Sequence, residues 1–160
     1  MKRPYLLVSG AWLIHAVSWF LPAALGIRQG QINTGLAGWE AFLVTATAIL
    51  PDRGRPFEVS FRMLLLISSV LSTVLFVLAS PWIVWRGSRR WLYSAAWIAV
   101  AGFIVNAQWY VISLADKQSG LGIGYFLWWF SFAVLAVGLF DLARQSEPGV
   151  STPQNRLGNL

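Results

Sequence analysis

Four long apolar runs, separated by short polar or basic stretches, constrain this chain more than any other feature. They lie at about residues 5–25, 63–85, 91–114 and 125–142. A helix rises about 1.5 Å per residue and a bilayer core is about 30 Å thick, so roughly 20 apolar residues make a crossing. Lipid offers no partner to a bare peptide group, so a crossing segment is a helix or part of a closed barrel. Barrel strands read as alternating segments of about ten residues, and these runs do not alternate. The expected fold class is therefore an all-α membrane protein: a four-transmembrane-helix bundle with a long outer first loop carrying a short interfacial amphipathic helix. Composition agrees. The 160 residues are 57% hydrophobic and only 11% charged, where a soluble domain is near 25% charged.

The net charge of +6 does not point to nucleic acid, because the basic residues sit at the ends of the apolar runs rather than on one face. Such flanks set topology. Lys2, Arg3, Arg86, Arg89, Arg90 and Arg144 gather on one side; Arg28, Arg53, Arg55, Arg62 and Lys117 gather on the other. The short loop "RGSRR" is the strongest vote, since short loops obey the positive-inside rule best. It places both termini in the cytoplasm of a bacterial inner membrane. Arg86, Arg89 and Arg90 are the expected contacts for lipid headgroups. The start of the chain imitates a signal peptide, but the apolar run is long, His15 interrupts it, and Pro22-Ala23-Ala24 makes a poor cleavage site. It is read as a retained first span.

The first loop holds "WEAFLVTATAIL", residues 39–50. Trp39, Phe42, Leu43, Ala46, Ile49 and Leu50 recur at helical spacing on one face. Glu40 falls in the first turn, where a negative charge suits the helix dipole. Pro51 stops the run. Twelve residues are too few to cross, and a one-sided aromatic face belongs in an interface. A helix capping the bundle is expected; a re-entrant segment and a fifth span are the alternatives. Just before it, "IRQGQINTG" alternates polar and apolar residues among turn formers and suits a small hairpin. The spans and the first loop form one membrane domain over 1–144, and 145–160 reads as a flexible cytoplasmic tail.

Polar groups at membrane depth are costly and often functional. The spacing gathers Ala11, His15, Ser18 and Pro22 on one face of span one; Ala95, Ala99, Gly102 and Asn106 on one face of span three; and Gly124, Trp128, Ser131, Leu135 and Gly138 on one face of span four. Ser68, Ser69, Ser72 and Thr73 lie in span two. Small residues let helices approach, and polar ones bond across the contact. The plainer reading makes these faces the bundle interior, with His15 bonded to Asn106 or a carbonyl. The sharper reading makes His15, Ser18, Trp39, Glu40, Asn106 and Ser131 a ligand-binding set in an outward-facing pocket.

Chemistry has few footholds. There is no cysteine, so thiolate metal sites and thiol catalysis are absent, and the six acids all lie in loops or at span ends. No zinc-protease, nucleophile-elbow or phosphate-loop motif is present. The glycines of "SGLGIGYF" follow no strand pattern and read as a turn. No enzyme activity, cofactor or metal is expected.

Three patches, "SWFLP", "GWEAF" and "GYFLWWFS", together resemble those of a loosely defined group of small, uncharacterised bacterial four-span proteins. The resemblance implies the span layout and a bacterial inner membrane, and no activity. Four spans with a long first outer loop are also similar to claudin-like proteins in topology alone, since the loop lacks their paired cysteines. The expected function is that of a non-catalytic accessory, interaction or immunity-type protein, a subunit of a larger membrane assembly. The alternative is a binder or transporter of a lipid or small hydrophobic ligand, using the pocket near His15 and Asn106. Expected partners are membrane lipids and either a protein partner or further copies of this chain.

Overall fold

The computed structural model describes residues 3–28, 31–47, 61–86, 88–115 and 119–146. The first helix, α1 (Arg3–Ser18), leads into strand β1 (Pro22–Arg28). Strand β2 (Gln31–Ala37) returns and runs directly into α2 (Gly38–Thr47). A long helix follows as α3 (Phe61–Val74), a π-helical segment (Leu75–Ala79) and α4 (Ser80–Arg86). After the basic loop come α5 (Arg89–Asn106) and α6 (Gln108–Ala115), then a short strand β3 (Ser119–Leu121) and α7 (Ile123–Gln145).

Among the described residues, three helical stretches are long and apolar enough to cross a membrane: Met63–Arg86, Arg89–Leu114 and Ile123–Gln145. The first apolar run behaves differently from its expected extent of 5–25. Its helix has 16 residues and stops at Ser18. Phe20 and Leu21 donate their amides three residues back, to Val17 and Ser18, which tightens the last turn. Pro22 then cannot donate to the ladder and biases Leu21 away from helix. The chain leaves as a strand.

The all-α expectation is thus corrected by a small sheet of order β2-β1-β3. Both pairings are antiparallel; Ile27 faces Ile32 in one, and Leu25 faces Gly120 in the other. The expected hairpin exists, with strands reaching back to Pro22 and forward to Ala37. Because β1 continues α1 and β3 precedes α7, the sheet ties together the ends of helices far apart in sequence.

Helix α7 packs along both α1 and α5, whereas α3 packs on α5 and on α2. The core joins Val8 and Ala11 of α1 to Ala95, Ala96 and Ala99 of α5 and to Phe132, Leu135 and Leu139 of α7. Alanines and glycines make this closeness possible. A Cβ on Gly138 would sit 3.1 Å from the Val8 nitrogen and 2.9 Å from Val8 Cγ2. The burial pattern follows most of the small-residue faces read from the sequence: Ala11, His15 and Ser18; Ala95, Ala99, Gly102 and Asn106; Gly124, Ser131, Leu135 and Gly138, whereas Pro22 has left the helix and is exposed and Trp128 is half-buried. The π-helical segment precedes Pro81, which has no amide to give the ladder. Ser80 Oγ takes up the slack by donating to the Phe76 carbonyl at 2.6 Å and accepting Trp12 Nε1 at 3.0 Å.

Residues 48–50 of the expected interfacial helix lie outside the described residues, as does the tail from 147 onward.

Candidate functional site

At the sheet end of the bundle, a partly enclosed cavity of about 550 Å³ opens between α3 and the α1–α7 pair. Helix α2 covers it with Gly38, Ala41, Phe42 and Thr45, which fall on one face of that helix by spacing. Strands β1, β2 and β3 contribute Ala23, Ala24, Leu36 and Leu121. The wall on the α3 side is Leu66, Ser69, Val70 and Thr73. Thr73 lies about 18 Å along that helix from Phe61, at 1.5 Å per residue, so the cavity reaches well down the bundle. Ser18, Trp109, Tyr125 and Trp128 line the remaining side. None of the described residues lining it carries a charge.

The cover is held by the turn that ends α1. The amides of Gly38 and Trp39 donate to the carbonyls of Leu21 and Trp19, each at 3.1 Å. The rings of Trp19 and Phe42 stack with centroids 5.6 Å apart. Across the cavity, Gly124 lets α7 pass under the strand. A Cβ there would meet the Leu21 carbonyl oxygen at 2.5 Å.

Of the six expected ligand-binding residues, only Ser18 lines this cavity. Trp39 is on the outer side of α2, 43% exposed, and so is Leu43, so the apolar face drawn from the sequence is split between inside and outside. Glu40 is a cap. Its Oε2 accepts the Ala37 amide at 2.9 Å, the reach of the third helical residue back to the residue before the helix. His15, Asn106 and Ser131 are buried beside the cavity rather than in its wall.

Their partners also differ from the expected pairing. His15 does not meet Asn106. His15 Nδ1 lies 3.0 Å from Ser131 Oγ. Ser131 has one hydroxyl proton, and it goes to the Trp128 carbonyl at 2.6 Å. In the neutral ring Nδ1 is therefore the donor, and Nε2 is a bare acceptor with no partner. The imidazole lies flat on Phe76, at 4.1 Å and 13°, with Phe132 edge-on at 6.0 Å. Asn106 Nδ2 donates to Ser72 Oγ at 2.9 Å and to the Gly102 carbonyl at 2.8 Å, while its Oδ1 has no partner. These two side chains bind the helices to one another.

The residues that do form the cavity were only partly marked by sequence. Ser69 and Thr73 stood out as polar groups at membrane depth, and Trp128 as part of a face. Phe42 belongs to the apolar stripe of the expected interfacial helix; Ala41, Trp109 and Tyr125 carry no such signal, because their role depends on α3 standing away from α1 and α7.

At the opposite end, Arg86, Arg89 and Arg90 are exposed. The Arg86 guanidinium lies 4.8 Å from the Trp82 ring and that of Arg89 lies 5.6 Å from the Tyr93 ring. Cations held over aromatic faces in this way suit a polar-apolar boundary. Among the described residues, no group of three or more histidines and acids is placed to hold a metal ion.

No family model, curated protein or solved structure matches this chain. The class that fold and site define is a mostly helical protein with, among the described residues, three helices long and apolar enough to cross a membrane and a covered, mostly apolar cavity at one end.

Proposed function

We propose that this chain is a four-span membrane protein that binds an apolar ligand in the cavity beneath α2, a binding role without chemistry. The cavity is the observation that carries this reading: about 550 Å³, walled mostly by alkyl and aromatic groups, with no charge among the described residues that line it. It favours the ligand-binding alternative over an accessory, interaction or immunity role by giving a ligand a defined place. The place differs from the pocket expected around His15 and Asn106.

Helix α1 serves as the fourth span. Its 16 residues measure about 24 Å, and it packs along the full-length helix α7. Leu6, Leu13 and Val17 are exposed on it and suit contact with lipid. Helix α2 lies in the interface, with Trp39 and Leu43 toward lipid headgroups and Phe42 toward the cavity. The basic loop at Arg86, Arg89 and Arg90 faces the cytoplasm and anionic headgroups, in a bacterial inner membrane. The cavity then opens in the outer leaflet, where a chain from the bilayer can enter sideways.

The test uses intrinsic fluorescence. Trp19, Trp109 and Trp128 line the cavity, so a fatty chain brominated near its middle should quench them on binding to purified protein in detergent. Ala41→Phe, which fills the cavity from the α2 side, should abolish the saturable part of the quenching. Equal saturable quenching in that variant, at unchanged helix content, would falsify the reading.

A further inference from the structure

We infer that the ligand carries a neutral acceptor oxygen, a carbonyl, held by the hydroxyl of Ser69. This rests on the reading of the cavity as a binding site and names the chemistry that site takes.

Among the described residues five hydroxyl groups line the cavity, and four have spent their single proton on the protein. Ser18 donates to the His15 carbonyl at 2.6 Å, Thr45 to the Ala41 carbonyl at 2.8 Å, and Thr73 to the Ser69 carbonyl at 3.1 Å. Tyr125 donates to the Asn106 carbonyl at 2.7 Å. Ser69 differs. Its Oγ accepts from Trp109 Nε1 at 3.2 Å, and its own proton reaches no acceptor among the described residues. The side chain is 5% exposed and lines the cavity, so that space is where the proton can find an acceptor. A buried donor without an acceptor is costly.

The indole bond occupies one lone pair of Oγ and leaves the proton to turn toward the space the side chain lines. The indole N–H groups of Trp19 and Trp128, which also line the cavity, likewise donate to no described residue. Of these, the Ser69 proton is the buried donor of the wall that a ligand acceptor would satisfy. Among the described residues the lining offers no charge, so a carboxylate or phosphate would find no counter-ion among them, at high cost. That leaves a neutral oxygen on an apolar body. Size agrees: at roughly 30 Å³ per heavy atom, the share a water takes in the liquid, 550 Å³ holds about 18 heavy atoms. One fatty acyl ester or one short-tailed quinone fills it.

The experiment displaces the brominated chain from the purified protein with three probes: methyl palmitate, decyl-benzoquinone and hexadecane. The expected result is that at least one carbonyl probe competes about five- to tenfold more strongly than hexadecane, the worth of one neutral hydrogen bond in a dry site. Ser69→Ala should remove that advantage while hexadecane competes as before, and Ser69→Thr should restore it. Unaltered hexadecane binding shows that Ser69→Ala still folds. Ester without quinone points to a bilayer lipid, and quinone without ester to a redox carrier. If all three probes compete equally with the unsubstituted protein, the cavity binds and the carbonyl assignment is wrong. If none competes, the binding site itself is wrong.

Discussion

Trp19 and Phe42 stack at 5.6 Å with 25° between their planes, joining the turn that ends α1 to the inward face of α2. Both rings also line the cavity. The same pair therefore fastens the cover and forms part of what a ligand touches.

Phe42→Ala should loosen the cover without unfolding the bundle. No residue of α2 is fully buried, and an aromatic pair is worth about 0.5–1.5 kcal/mol beyond its buried area. Amide exchange across residues 38–47 should rise up to about tenfold, with exchange in α5 and α7 unchanged. Leu43→Ala, on the outward side at 49% exposure, should leave it unchanged in detergent. Hydrogen exchange read by mass spectrometry checks both.

Ser131→Ala should destabilise the bundle by about 1–3 kcal/mol, because it leaves the buried Nδ1 of His15 without its partner. Nε2 is already unpartnered, so the ring would then have no hydrogen bond among the described residues. Replacing the ring as well, as His15→Phe with Ser131→Ala, should recover most of the loss, since Phe76 and Phe132 already offer an aromatic nest. Thermal unfolding in detergent distinguishes these outcomes. A double variant no more stable than the single one would show that the imidazole contributes something beyond this bond.

Gly138→Val should separate α7 from α1. The added atoms would fall on Val8 backbone nitrogen and on Leu7 Cβ, neither of which can swing aside. Overpacking of this kind costs about 1–3 kcal/mol. Gly10, which has open space where its Cβ would be, is the matching control: Gly10→Ala should cost little or slightly stabilise the helix. The midpoint of thermal unfolding reads both.

Topology has a direct check, because the chain has no cysteine to remove first. With both termini cytoplasmic, Thr47→Cys should react with an impermeant thiol reagent in intact cells, and Ser88→Cys only after lysis. The reverse pattern would invert the orientation and put the cavity in the inner leaflet.

The runs that became Met63–Arg86, Arg89–Leu114 and Ile123–Gln145 were legible because length and hydropathy alone make such a helix. The buried faces were legible too, since helical spacing puts Ala95, Ala99, Gly102 and Asn106 in one line. Partners across helices were not. Asn106 meets Ser72 rather than His15, and nothing in one sequence fixes the relative depth of two spans. The strands were half-hidden: "PAALGIR" shows no alternation, and it extends because β2 and β3 pair with it. The cavity left the weakest trace, because an empty space is a property of how helices diverge. Phe42 and Trp39 share an apolar stripe in sequence, yet one faces the cavity and the other faces out.

The central claim is that the cavity beneath α2 holds an apolar molecule. Native mass spectrometry of the protein drawn from its own membrane into a gentle detergent tests it most directly. The expected result is one retained molecule per chain, carrying a hydrocarbon chain and a neutral carbonyl, and its loss in Ala41→Phe at unchanged helix content. A bare protein mass, or equal retention in both proteins, would contradict the account.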